Sequence, residues 1–185
     1  VGVTTPSSSG TNFYAENSTT CYYSSTVSLA PVTPLTDIRT SSGWTTLNDA
    51  VDAMQANGNT NQTIGIIHGI QTLMSGDPYN AGTLPPYTSK VLIILSDGLN
   101  TQNRWSATQS SIDARMALAC SNAKTNGHVV IYTVFVDLDG AQGSSTTLYN
   151  CASDQNKYFD LTTSGAIIST FNNIAQQITQ LRVAR

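Results

Sequence analysis

Two uninterrupted apolar runs, Val91-Leu92-Ile93-Ile94-Leu95 and Val129-Val130-Ile131-Tyr132-Thr133-Val134-Phe135-Val136, constrain this chain more than any other feature. A strand with one wet face alternates apolar and polar residues. A strand apolar at every position is covered on both faces, which is the habit of parallel sheets. Parallel strands need long crossover connections, and the intervening segments carry helical spacing. Leu47, Ala50, Val51 and Met54 form one stripe from Thr46 onward, with Gly58 placed to end that helix. Thr60 or Asn61 can cap a second helix, in which Ile64, Ile67, Ile70, Leu73 and Met74 face inward before Ser75-Gly76-Asp77-Pro78 stops it. Ile112, Met116, Ala119 and Ala123 mark a third helix that ends near Gly127. A short helical segment around Leu148, the strand Tyr158-Phe159-Asp160-Leu161 and a final helix carrying Ile167, Phe171, Ile174, Ile178 and Leu181 complete the alternation. The expected fold is α/β: a parallel sheet with helices on both faces, in 46–185. Residues 1–45, with Pro6, Pro31 and Pro34 among Ser and Thr, read as a loop-rich segment or a pair of edge hairpins.

The 185 residues suffice for one domain with a substantial core. With 8 basic against 11 acidic side chains and no basic stripe, nucleic acid is a poor candidate partner. No apolar run reaches the roughly 18 residues that span a bilayer. Ser, Thr, Asn and Gln far outnumber the charged residues, a balance commoner in exported and envelope proteins than in cytosolic ones. The cysteines point the same way. A Cys120–Cys151 bridge would close a loop of about thirty residues, worth roughly 3–4 kcal/mol in the chain-entropy account. Two reduced core cysteines are the alternative. Cys21 is left over, to pair elsewhere or stay a free thiol.

Ligands of open α/β sheets bind beyond the carboxyl ends of the strands, so the loop Ser96-Asp97-Gly98-Leu99-Asn100-Thr101 is the first place to look for chemistry. A carboxylate there can hold a hard cation, and a Thr hydroxyl from a neighbouring loop is a suitable oxygen partner. The loop Gly58-Asn59-Thr60-Asn61 supplies one. Each half has a plainer reading, since Asp-Gly after a strand makes an ordinary turn and Thr before a helix an ordinary cap.

Taken together and in this order, Gly58-Asn59-Thr60-Asn61-Gln62-Thr63-Ile64-Gly65, Leu92 to Gly98 and the strand Val130 to Val136 resemble the second half of a von Willebrand factor A domain. Pro34-Leu35-Thr36, the Ser96–Thr101 loop, the Cys120 helix leading into Ile131-Tyr132-Thr133-Val134, Leu148-Tyr149-Asn150-Cys151-Ala152-Ser153 and Gln180-Leu181-Arg182 narrow the likeness. Over 31–185 the chain is similar to the C-terminal region of bacterial tight-adherence (Flp) pilus-assembly proteins. The resemblance implies a three-layer, Rossmann-like fold. It implies a non-enzymatic domain that recognises envelope or pilus proteins, outside the cytoplasm, with a membrane anchor beyond this chain. Thr60 and Asp97 take the positions of two ligands of the family's metal-ion-dependent adhesion site, with Asn59, Asn61, Ser96 and Asn100 around them on the binding face.

The family's Asp-x-Ser-x-Ser motif, which follows its first strand and supplies most of the metal ligands, belongs upstream of Val1. This chain is therefore expected to be a C-terminal portion, binding Mg2+ or another divalent cation only where that motif is supplied. The missing part is expected to stay bound, or to be replaced by oligomerisation or by a rearranged strand such as Val1–Thr5. Without its first strand, Val91–Leu95 should present an open edge and apolar side chains to water. Asp160-Leu161-Thr162-Thr163-Ser164 matches the motif's pattern but follows the last strand and is a decoy.

Enzyme readings find little support. No dinucleotide, P-loop, nucleophile-elbow or zinc-protease motif occurs. His68 lies within a helix and His128 at a strand start, both read as structural. A small hydrolase-like or nucleotide-binding enzyme and a purely structural pilus component are the rival readings. The sequons at Asn17 and Asn61 matter only in a eukaryotic source.

Overall fold

The computed structural model describes residues 32–183 except 56–58, 77, 80, 86 and 103–106, with no side chains described beyond 180. The chain divides into two compact units, Val1–Asn57 and Gly58–Arg185. Cys21, Val1–Thr5 and Asn17 lie outside the described residues.

In the first unit α1 spans Ser41–Asp52. It starts five residues before the expected Thr46, because Thr40 caps it: the Thr40 hydroxyl accepts a hydrogen bond from Gly43 N at 3.1 Å. Gly43 is required there, since a Cβ would come within 2.1 Å of the Asp37 carbonyl oxygen. The expected apolar stripe of this helix is outward: Leu47, Val51 and Met54 are exposed, and among the described residues of the unit only Gly43 is buried. Gly58, the expected terminator, is not among the described residues.

The second unit is α/β. Strands β1 (Lys90–Ser96), β2 (Val129–Val136) and β3 (Tyr158–Leu161) form a parallel sheet in the order β1-β2-β3. Leu92 pairs with Ile131 and Leu95 with Val134, while Phe135 pairs with Asp160. Helices α2 (Gln62–Thr72), α3 (Gln109–Thr125), α4 (Thr146–Cys151) and α5 (Gly165–Val183) alternate with the strands. The expected strands and the last three helices therefore occur in the expected order, and the crossovers satisfy the parallel connections.

Side-chain alternation along β2 divides the core. Val129, Ile131 and Phe135 pack with Ile66, Met116, Ala119, Cys120, Ala123 and Leu148 from α2, α3 and α4. Tyr132 and Val134 point the other way and pack with Leu161 and with Ile174, Ile167 and Ile178 of α5. In α2 the buried residues are Thr63 and Ile66, and Ile64 is exposed. The inward stripe is 63, 66, 67, 70, 73 and 74, so Ile64 falls out of phase with it. In α3 the four expected residues are all buried, and Cys120 joins them.

Two polar groups inside this core are satisfied locally. Thr133 is fully buried and donates through Oγ1 to the Leu148 carbonyl at 3.0 Å. Ser153 extends the β2 ladder: its Oγ accepts from Ile131 N at 2.8 Å and its N–H donates to the Ile131 carbonyl at 2.9 Å. Cys120 and Cys151 are buried with their sulfurs at disulfide distance and Cα atoms 5.2 Å apart, which ties α3 to α4.

β1 differs from a strand covered on both faces. Leu92 and Ile94 pack inward, but on the α5 side Ile93 is 38% and Leu95 54% exposed. Among the described residues nothing pairs with the outer edge of β1. Among the described residues no helix is long and apolar enough to cross a membrane.

Candidate functional site

The loops at the carboxyl end of β1 come together as the strand-end rule requires. The link is main chain as well as side chain. Thr101 N donates to the Thr60 carbonyl at 2.9 Å, and Thr60 N donates to Thr101 Oγ1 at 2.9 Å. Asn59 Nδ2 donates to Gln102 Oε1 at 2.8 Å, so the two exposed loop tips are clasped.

Gln62, in the first turn of α2, holds the base of the site. Its Nε2 donates to Ser96 Oγ at 2.7 Å and to the Gly98 carbonyl at 2.6 Å. Its main-chain N donates to Asn100 Oδ1 at 2.8 Å, which relieves one of the orphan donors of the helix N-terminus. Asn100 is buried, and its Nδ2 donates to Asp113 Oδ1 at 2.8 Å and towards Met116 Sδ. Asn100 thus joins the loop to α2 and α3 from inside.

Asp97 is exposed at the rim. Thr60 Oγ1 lies beside its neighbour: a Cβ built on Gly98 would sit 3.5 Å from that hydroxyl. Asn61 caps α2 by position only; no side-chain cap bond forms, and its Oδ1 is buried without a hydrogen-bond partner. Ser96 is half-buried and accepts from Gly98 N as well as Gln62. The structure thus brings Thr60, Asp97, Asn59, Asn61 and Ser96 to one end of the sheet, with Asn100 beneath them.

A cation at Thr60 and Asp97 has one hydroxyl and one carboxylate available from that pair. Hard cations take about six oxygens. Among the described residues no three His, Cys, Asp or Glu side chains gather, so the residues present do not by themselves fit a cation there.

Gln142 is a site residue that sequence reasoning missed. It comes from the loop after β2, and its Oε1 accepts from Leu99 N at 3.0 Å while its Nε2 donates to the Asp97 carbonyl at 3.0 Å. Asp137, at the end of β2, was missed as well. Its signal was close to the one that singled out Asp97: an aspartate within two residues of an apolar run and shortly before a glycine.

The other singled-out residues lie elsewhere. His68 shares a 2.8 Å hydrogen bond between Nδ1 and Tyr79 OH. His128 sits at the opposite end of β2, with a positive φ of 51°. Asp160 is on β3, separated from β1 by β2, and accepts from Tyr158 OH at 3.1 Å.

Burial, seconded by that hydrogen bond to Asp160, pushes the Tyr158 phenol up to about 12. Burial also raises Tyr132. Both shifts favour the protonated phenol in the folded state, so their stabilisation is whole below about pH 10 and is lost as pH climbs towards about 12. The Tm should therefore fall above about pH 10, and Tyr158→Phe should lose less between about pH 10 and 12 than wild type does. An equal decline in both proteins refutes the assignment.

No family model, no curated protein and no solved structure matches this chain.

Proposed function

We propose that this chain is the C-terminal portion of a von Willebrand factor A-like, three-layer α/β domain that recognises other proteins. It works without catalysis, outside the cytoplasm in the bacterial envelope, in pilus assembly or surface attachment. The observation that carries the reading is the clasp between Thr60 and Thr101, which holds Thr60 against the loop that bears Asp97 at the carboxyl end of a parallel sheet. Among the described residues the outer edge of β1 is unpaired, and that edge with the exposed Ile93 and Leu95 supports a further strand beside β1. The Cys120–Cys151 pair and the charge-poor composition support an oxidising compartment. On this reading Mg2+ or a similar ion binds Thr60 and Asp97 when the missing motif completes the site. Asn59, Asn61 and Ser96 shape the loops around it.

A photo-cross-linking residue placed at 59, in cells that make the protein, tests this. It should give discrete adducts to an envelope protein, whereas the same residue at 122, by the start of β2, should not. Asp97→Ala should weaken the adduct about tenfold, the effect of losing about 1.4 kcal/mol of contact. No adduct, or equal adducts from both positions, overturns the reading.

A further inference from the structure

The loop that bears Asp97 is held from two sides by glutamine amides, although loops at a sheet end are ordinarily the more mobile part of a fold. On one side Gln62 of α2 donates through Nε2 to Ser96 Oγ and to the Gly98 carbonyl. On the other, Gln142 accepts from Leu99 N through Oε1 and donates to the Asp97 carbonyl through Nε2, each at 3.0 Å. The second contact has the pattern of a parallel ladder, in which one residue donates to the carbonyl before its partner residue and accepts from the N–H after it. Gly98 is the residue between, and the Gln142 amide takes the place of a neighbouring main chain. A Cβ on Gly98 would lie 3.5 Å from Thr60 Oγ1 and 3.7 Å from Gln142 Oε1, so the turn passes closely between the two side chains.

The Gln142 side chain is exposed, and an exposed glutamine gives up rotamer freedom when it is fixed. Here its main chain is fixed first. Gln142 N and Gly143 N both donate to Asp137 Oδ2 at 3.0 Å. Asp137 is only 4% exposed, and its own N–H donates to the Leu161 carbonyl at 2.9 Å, which ties it to the end of β3. Gly140 and Gly143, at φ 67° and 66°, supply the left-handed conformations that the turn between requires. Only the amide remains to be oriented. The Leu99 N–H needs an acceptor and the Asp97 carbonyl a donor, so one orientation alone serves both.

We infer that Gln142 is the positioning residue of the Asp97 loop: carried on the turn that Asp137 anchors, it holds Asp97 to Leu99 in the conformation in which the face around Asp97 meets its partner. The inference rests on the recognition role proposed above for its consequence, and on the hydrogen bonds alone for its geometry. It makes the placement of Asp97 depend on the loop after β2, 45 residues away in sequence.

Hydrogen exchange of the Leu99 amide, followed by NMR, tests the geometry without any partner. Gln142→Ala removes acceptor and donor together and should speed exchange at Leu99 about fivefold or more, the effect of losing one hydrogen bond. The Ile131 amide, inside the sheet, should stay within about threefold of wild type, because a surface substitution leaves global stability nearly unchanged. Gln142→Met keeps the length of the side chain without either polar end, and should match Gln142→Ala rather than wild type. In cells, the adduct from the cross-linker at 59 should fall about fivefold with either variant. Unchanged Leu99 exchange in Gln142→Ala, or wild-type exchange in Gln142→Met, overturns the inference. Faster exchange with adducts at full wild-type yield also overturns it, and makes Gln142 a structural tie that recognition does not use. Absence of adducts from wild type defeats the recognition role instead, and the exchange measurements still decide whether Gln142 holds the loop.

Discussion

Reduction of the Cys120–Cys151 pair is expected to lower the unfolding free energy by about 3–4 kcal/mol, the loop-closure entropy that a cross-link of this span removes from the unfolded chain. The sequence separation is 31. The closed loop contains the whole of β2, the central strand, so the cross-link holds together the segment on which both halves of the core are built. The clean comparison is wild type with and without reductant. Substitution by serine would add a second cost, a hydroxyl placed among Ile131, Ala119 and Leu148. For a chain of this length the loss corresponds to a fall in Tm of about 10 °C. The same material checks the pairing: thiol labelling of the unfolded, unreduced protein should find one reactive cysteine at most. Three free thiols, or coincident unfolding curves, would rule the bridge out.

The parts of the fold that were legible in the sequence are those whose signal is local. Strand β2 is apolar at nearly every position because it is central, and α3 announces itself through Ile112, Met116, Ala119 and Ala123 at unbroken helical spacing. The phase of α2 was less legible, because four isoleucines in seven residues leave no polar face to fix the register, and Ile66 rather than Ile64 proved to be inside. α1 shows the opposite limit. Its stripe is genuine in spacing, yet Leu47, Val51 and Met54 are exposed, because periodicity states which residues share a face and not what covers it. The same reasoning applies to Ile93 and Leu95 of β1, whose burial depends on a neighbour beyond the strand.

At the candidate site, the strand-end loop and the helix cap opposite it were readable from Ser96-Asp97-Gly98 and Asn59-Thr60-Asn61. Gln142 was not. It lies 45 residues from Asp97, on a loop with no periodicity, and a glutamine carries no mark of the carbonyl it will find. Asn100 was placed on the binding face because of its position in the loop. Its buried amide bonds to Gln62 of α2 and Asp113 of α3, partners that only the long-range hydrogen bonds reveal.

Ile174→Ala should cost about 2–5 kcal/mol, and Ile168→Ala, on the same helix, no more than about 0.5 kcal/mol. The two residues differ only in where the turn of α5 puts them. Ile174 is fully buried and packs in the cluster of Tyr132, Val134 and Leu161, whereas Ile168 is 74% exposed. Removing three carbons at 174 takes away transfer free energy and leaves a cavity against the sheet, which a helix tied to β3 by a short turn can close only in part. The cluster is small, so the loss falls on few contacts. Phe159, Ala166, Ile167 and Ile178 are only partly buried around it, and none can slide inward without uncovering another. Chemical denaturation of the two variants at neutral pH measures both costs with one method. If α5 covers β2 and β3 as described, the difference between them should be at least about 1.5 kcal/mol; near-equal values would mean that this helix does not rest on the sheet through Ile174.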